Sequence, residues 1–190
     1  MTTKSVLLVG VGGQGTILAS KLLTLGLMEA GYDVKMSEIH GMSQRGGSVS
    51  SQVRYGEKVF SPVIELGGAD ILVSFELMEA LRWLEYLKPE GRVVVNEYRI
   101  NPMPVISGKA VYADAILDQL KKAAKVTSMD AAAIAADLGN PRVMNIVLLG
   151  SIVKAMGLEA IDWESLIRAN VKPAFVEVNI AALKAGMDAM

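Results

Sequence analysis

The chain contains no cysteine. That one absence removes disulfides, thiol nucleophiles and any zinc or iron–sulfur cluster held by cysteine. It has a single histidine, His40, so no second imidazole or thiolate exists to complete a metal site around it. An excess of either charge is also missing. The 19 basic and 20 acidic residues leave a net charge of −1, which gives no electrostatic footprint for nucleic acid or for a membrane surface. The amino terminus shows no basic, apolar and small-residue succession of a signal peptide. The longest apolar run, Ile146 to Val153, is interrupted by Gly150 and Ser151 and is far short of the ~20 residues of a membrane span. The expectation is a cytoplasmic protein.

Apolar residues, by contrast, are plentiful. They make up 52% of the 190 residues, with a mean hydropathy of +0.37. The length fits one domain, 1–190, with a substantial core. Two readings of the apolar excess stay open: a dense core rich in Ala, Val, Leu and Met, or a surface covered by another subunit, since permanent interfaces resemble a core cut in half.

Ser5 to Val9 reads as a buried parallel strand ended by glycines. Thr16 to Ala30 reads as a helix whose apolar stripe runs through Ile17, Leu18, Leu22, Leu25 and Met28, stopped by Gly31. Tyr32 to Ser37 is the second strand. The alternation of Ser48 to Tyr55, a turn at Gly56-Glu57 and the return Lys58 to Phe60 predict a hairpin. Strands at Ile71 to Ser74 and Arg92 to Asn96 flank a helix over Glu76 to Leu87. Val111-Tyr112, a helix around Ala115 to Ala124 and Lys125 to Met129 form one more alternating unit. Beyond Asp130 the pattern is helical, with helices opening at Asn140-Pro141, Asp162 and Pro173. The fold class expected is α/β: a three-layer α/β/α domain with a mostly parallel mixed sheet that includes the hairpin, a Rossmann-like start and a helical C-terminal portion.

Two glycine-rich loops follow the first two strands and should meet at the carboxyl edge of the sheet, where open α/β folds bind ligands. The first, Gly10-Val11-Gly12-Gly13-Gln14-Gly15, joins strand to helix. Its backbone N–H groups and the helix end favour an anion. Here Gly10 allows the tight turn, Gly12 a close approach by ligand, and Gly15 close helix packing, with Gln14 adding a polar side chain. The second runs from Glu38 to Ser48 and holds His40, Ser43, Gln44 and Arg45. Arg45 is a planar cation among glycines, suited to an anion or to tying the loop to Glu38. His40 is a candidate acid or base near neutral pH or a loop anchor. Asn140, Arg142 and Asn145 form a weaker cluster, in which Asn145 either bonds a backbone group in the core or faces the same cleft.

The wording of the two loops, with the later Leu138-Gly139-Asn140 and Asn145 to Gly150, resembles the gamma-type module of 2-oxoacid:ferredoxin oxidoreductases. The second loop looks most like the small subunit of the indolepyruvate-type members. The resemblance implies an accessory subunit of an enzyme that oxidatively decarboxylates a 2-oxoacid to an acyl-coenzyme A and passes electrons to ferredoxin. It implies thiamin diphosphate, magnesium and 4Fe–4S clusters on a large partner subunit, coenzyme A as co-substrate and a hetero-oligomer inactive without that partner. The lack of cysteine, and of a Gly-Asp-Gly run with downstream asparagines, agrees with cofactors held elsewhere. Two other readings remain: a free-standing NAD(P)-dependent oxidoreductase using Glu38 on the ribose, and a non-catalytic nucleotide-binding module.

Overall fold

A computed structural model of the chain describes residues 2–39 and 46–190. Among these, the strands are β1 (Lys4–Val11), β2 (Asp33–Ile39), β3 (Ser48–Gly56), β4 (Ala69–Ser74), β5 (Leu87–Asn96) and β6 (Lys125–Met129). They form one sheet in the order β2-β3-β1-β4-β5-β6. β1, β4, β5 and β6 run parallel, while β3 lies antiparallel between β1 and β2. β2 therefore points the same way as β1, and both glycine-rich segments leave the sheet at its carboxyl edge. The interior strands are near-continuous apolar runs because helices cover both of their faces.

Alternate residues of β1 feed two separate cores. Val6 and Leu8 join a core with α1 (Thr16–Glu29), α5 (Ala131–Asp137), α6 (Met144–Met156), α7 (Trp163–Asn170) and α8 (Val176–Asp188). Leu7 and Val9 join one with α2 (Leu77–Arg82), α4 (Ile116–Ala123), Ile64 and Tyr112. A single-turn helix, α3 (Met103–Ile106), lies in the connection to α4. The three layers expected from the sequence are thus present, with the heavier helical layer built by the C-terminal third. The run from Asn145 to Val153 is buried throughout, as the centre of that layer. No helix among the described residues is long and apolar enough to cross a membrane.

Several expectations need correction. No return strand forms at Lys58 to Phe60. The alternating segment 48–56 pairs instead with β2 and β1, and residues 57–68 cross its face as an irregular segment tied by Gln52 Oε1 to the Ile64 N–H (2.6 Å) and by Arg54 to the carbonyls of Ser61 and Val63. The buried face of α1 is Thr16, Ala19, Ser20, Leu22, Leu23, Gly26 and Leu27; of the expected stripe Leu22 is buried and Leu18 and Leu25 pack against the core, half-buried. Ile17 and Met28 point outward, because the small side chains allow the helix to lie close to the sheet and to Trp163. Val111-Tyr112 is not a strand; Tyr112 is buried through its ring and hydroxyl while Val111 is exposed. β5 begins at Leu87, running through Pro89 and Gly91 with a register shift against β4.

The contact between α6 and α8 is the tightest in the fold. A Cβ on Gly186 would stand 1.8 Å from the Val147 carbonyl oxygen, and one on Gly150 2.1 Å from that of Leu183. Both are backbone atoms that no rotamer change can move. Gly186→Ala should therefore cost at least the upper end of the overpacking range, about 3 kcal/mol. The loss should read as a lower urea midpoint with unchanged slope; an unchanged midpoint would show that the two helices do not touch.

Candidate functional site

The first glycine loop sits where β1 and β4 diverge to opposite layers: α1 leaves β1 on one face of the sheet and α2 leaves β4 on the other. Such a crevice at the carboxyl ends of the strands is the ordinary ligand position in open α/β sheets. Its floor is held by Gln14, whose Oε1 accepts from the Val11 N–H and whose Nε2 donates to the Phe75 carbonyl, both at 2.8 Å. The Phe75 N–H in turn donates to the Val9 carbonyl at 2.8 Å. Gly10 is required by this arrangement, since a Cβ there would lie 2.9 Å from both Gln14 Oε1 and Phe75 Cβ. Gln14 is thus a clamp between strand ends.

Gly12 also does something other than expected. Its N–H donates to the Gly47 carbonyl (2.9 Å) and its carbonyl accepts from the Gly46 N–H (3.4 Å). The backbone that approaches Gly12 closely is the root of the second loop, so the two loops are stitched together. Gly13 is exposed, and the N–H groups of Gly13 and Gly15 have no acceptor among the described residues. They lie at the entrance of α1, which has neither a side-chain cap nor an acid in its first turn. Gly15 adopts φ +82°, and its missing side chain leaves room for Asn145 Nδ2, 2.8 Å from where a Cβ would be. That amide donates to the Gly15 carbonyl at 3.1 Å, the backbone-bonding role that its sequence position left open.

His40, Ser43, Gln44 and Arg45 lie outside the described residues. Of their neighbours, Glu38 accepts from Ser20 Oγ at 2.8 Å, and Ser48 Oγ donates to Glu79 at 2.5 Å. Ser48 is therefore a brace for the loop's base. The geometry also weakens the dinucleotide reading. β3 occupies the place beside β1 that the second strand of a dinucleotide-binding half would take, and Glu38 is bonded to α1.

Sequence reasoning missed a pair of buried acids beside Gly46 and Ser48, at the root of the second loop. Glu76 and Glu79 are almost fully enclosed around a cavity of about 80 Å³ lined also by Val11, Gly46, Ser48 and Arg82. Glu76 caps α2 by accepting from the Glu79 N–H (3.0 Å), and it also accepts from the Ile100 N–H (3.1 Å) and the Tyr112 hydroxyl. Burial, followed by its bond to Glu76 and that acid's charge, pushes the Tyr112 hydroxyl well above its ordinary pKa. Glu79 accepts from Ser48 Oγ, Arg82 Nε (3.1 Å) and Trp83 Nε1 (3.3 Å). The available signal was two acids three apart immediately after a buried strand, the spacing that joins a helix cap to the next turn. Among the described residues, no group of His, Asp or Glu is arranged to hold a metal ion.

The family model described as pyruvate ferredoxin/flavodoxin oxidoreductase matches residues 5–189. The chain belongs to this family. Among curated relatives, the indolepyruvate oxidoreductase subunit IorB of Thermococcus kodakarensis is 39% identical over 197 aligned residues, covering 100% of this chain and 96% of that one. The common gamma subunit of pyruvate/ketoisovalerate oxidoreductases from Pyrococcus furiosus is 28% identical, over 80% of this chain and 78% of that one. A solved gamma subunit of a keto/oxoacid ferredoxin oxidoreductase from Geobacter sulfurreducens shares the fold, with a TM-score of 0.72 and 24% identity over 98% and 97% of the two chains.

The clamp generates a direct test. Gln14→Ala strands the Val11 N–H at the strand end, and an unsatisfied buried donor costs about 1–3 kcal/mol. Thermal unfolding should show that loss, and Gln14→Glu should restore only part of it, because a carboxylate can accept from the Val11 N–H but cannot donate to the Phe75 carbonyl. Full stability of Gln14→Glu would place the donor elsewhere.

Proposed function

We propose that this chain is the small, cofactor-free subunit of an indolepyruvate-type 2-oxoacid:ferredoxin oxidoreductase, supplying one wall of an active site completed by a large partner. The observation that carries the reading is full-length similarity, 39% and 38% over 96% of their lengths, to proteins named indolepyruvate oxidoreductase subunits. The subunit has no cysteine, so its own residues do not fit an iron–sulfur cluster. The thiamin diphosphate, magnesium and clusters belong to the partner, and ferredoxin receives the electrons there. When bound to that partner, thiamin diphosphate supplies the carbanion stabilisation that decarboxylation of a 2-oxoacid needs. A soluble ferredoxin acceptor goes with a cytoplasmic hetero-oligomer.

The contribution of this chain is to receive an anion. The N–H groups of Gly13 and Gly15, which have no acceptor among the described residues, and the start of α1, which has no side-chain cap among them, offer partial positive charge, and Arg45 adds a full one. His40, Ser43 and Gln44 offer directional hydrogen bonds beside it. The anion is the co-substrate coenzyme A or the oxoacid carboxylate on its way to the partner's centre. Electrostatic binding of this kind needs no proton transfer by the subunit. A likeness in fold to 2-oxoglutarate:ferredoxin oxidoreductase from Magnetococcus marinus supports the assignment. That structure is described with 2-oxoglutarate, coenzyme A and succinyl-CoA bound, and the chain matches 31% of its length at a TM-score of 0.75.

Purified alone, the subunit should be colourless and inactive with arylpyruvates; a brown protein or turnover without a partner would overturn the reading. In the assembled enzyme, Arg45→Ala removes a charge-assisted bond worth about 1.5–3 kcal/mol. The KM for an anionic ligand should rise roughly ten- to a hundredfold with the subunits still associated. Arg45→Lys should recover only part, because an ammonium lacks the planar fork. Unchanged kinetic constants in Arg45→Ala would make the loop structural, and dissociation would assign the residue to the subunit interface.

A further inference from the structure

The ladder between β1 and β3 ends at the pair Val11–Ser48. Two further backbone bonds carry it one residue beyond, from the Gly12 N–H to the Gly47 carbonyl (2.9 Å) and from the Gly46 N–H to the Gly12 carbonyl (3.4 Å). These bonds fix the middle of the first glycine loop, next to the Gly13 N–H, which has no acceptor among the described residues. Their other side is thinly supported. Gly46 and Gly47 bring no side chains, Gly46 is exposed at φ +85°, and nothing lies within 4 Å of where its Cβ would be. The end of a ladder opens more readily than its middle. The last side chain able to secure this end, before the glycines, is Ser48.

Ser48 is itself secured by Glu79. Its hydroxyl donates to Glu79 Oε2 at 2.5 Å, and the same oxygen accepts from Trp83 Nε1 at 3.3 Å while Oε1 accepts from Arg82 Nε at 3.1 Å. A carboxylate can meet three donors at once because both of its oxygens only accept. Glu79 is 4% exposed, and burying a carboxylate costs more than an i,i+3 pair with the exposed Arg82 returns. Stabilising α2 therefore does not account for this acid. The bond that reaches out of α2 is the one to Ser48, 31 residues earlier in the chain. The last rung of the ladder is thus gripped from both strands, by Gln14 on the Val11 N–H and by Glu79 on the Ser48 hydroxyl. Gln14 ties it to the residue that follows β4, and Glu79 ties it to the helix that comes next.

We infer that Glu79 is a positioning residue for the first glycine loop: acting through Ser48, it fixes the Gly46–Gly47 backbone against Gly12 and so sets where the Gly13 N–H stands. The consequence for an anion at that N–H rests on the function proposed above; the effect on the backbone does not.

Amide exchange followed by NMR on the full-length chain reads the backbone directly. Ser48→Ala removes the hydroxyl but leaves Glu79 with Arg82 and Trp83, so it is a milder change than Glu79→Ala. In both variants the Gly12 N–H should exchange about tenfold faster, while Leu7 in the middle of β1 keeps its rate. The double variant should be no faster than Glu79→Ala alone, because one residue acts through the other. Ser48→Thr keeps the hydroxyl and should restore the slow rate. Ser50 supplies the control: it lies on the same face of β3 as Ser48, and its buried Oγ has no partner among the described residues. Ser50→Ala should leave Gly12 as it was. An unchanged Gly12 rate in Ser48→Ala, equal acceleration at Leu7, or the same acceleration in Ser50→Ala would each overturn the inference. In the assembled enzyme, Ser48→Ala should raise the KM for coenzyme A or the 2-oxoacid roughly three- to tenfold, with kcat within about twofold. Faster exchange at Gly12 with both KM values unchanged would remove the anion from the glycine loop and leave the positioning role of Glu79 standing. A raised KM with unchanged exchange at Gly12 would overturn that role.

Discussion

One side chain sets the geometry of the carboxyl edge. Gln14 leaves the first glycine loop, turns back on its own strand to take the Val11 N–H, and reaches the Phe75 carbonyl at the end of β4. The same carbonyl accepts from Asn96 Nδ2 on β5 at 3.1 Å, and Asn96 Oδ1 accepts from the Ala131 N–H at the start of α5 at 3.0 Å. A line of amide bridges thus crosses the ends of three parallel strands at the point where the ladder hydrogen bonds stop. Backbone groups there would otherwise be buried without partners, so the bridges are a condition of closing the sheet edge at all. The N–H groups of Gly13 and Gly15, without an acceptor among the described residues, sit beside neighbours fixed in this way.

Much of this was legible in the chain. The succession of apolar run, glycines and helix placed β1, the loop and α1 correctly, because a buried strand and a glycine stop are local signals. Helices opening at Asp162, Pro141 and Pro173 were legible for the same reason. What escaped was non-local. Period-two alternation in 48–56 identified a strand, but not that it would insert between β1 and β2 rather than fold back on Lys58 to Phe60. On α1 only Ile17 and Met28 of the expected stripe turn outward, where closeness of approach favoured Ala19, Ser20 and Gly26 over hydrophobic size. The acids Glu76 and Glu79 went unread because two groups that mark them, Ser48 and Tyr112, come from elsewhere in the chain.

At the site, residue types and spacing pointed to an anion-binding loop, the reading carried into the proposed function. Their individual roles were not readable, since Gln14 and Gly12 present polar groups that the fold itself consumes. A polar residue in a glycine loop has two claimants, the ligand and the neighbouring backbone, and only the positions of β4 and the second loop's root decide between them. The apolar excess divides similarly. Most of it fills the two cores, while Phe60, Val63, Leu66, Met103, Ile106 and Val111 stay exposed, more than singly scattered residues require.

The bond from Asn145 to the Gly15 carbonyl joins positions 130 residues apart. The mouth of the glycine loop is therefore made partly by a helix that leaves the ribosome long after the loop itself. During synthesis β1 and α1 emerge first, yet the core that receives their inner face is completed by α6, α7 and α8. Until those helices arrive, the loop has its sequence but not its shape. The shape of the glycine loop is acquired late, and all at once, with the last third of the chain.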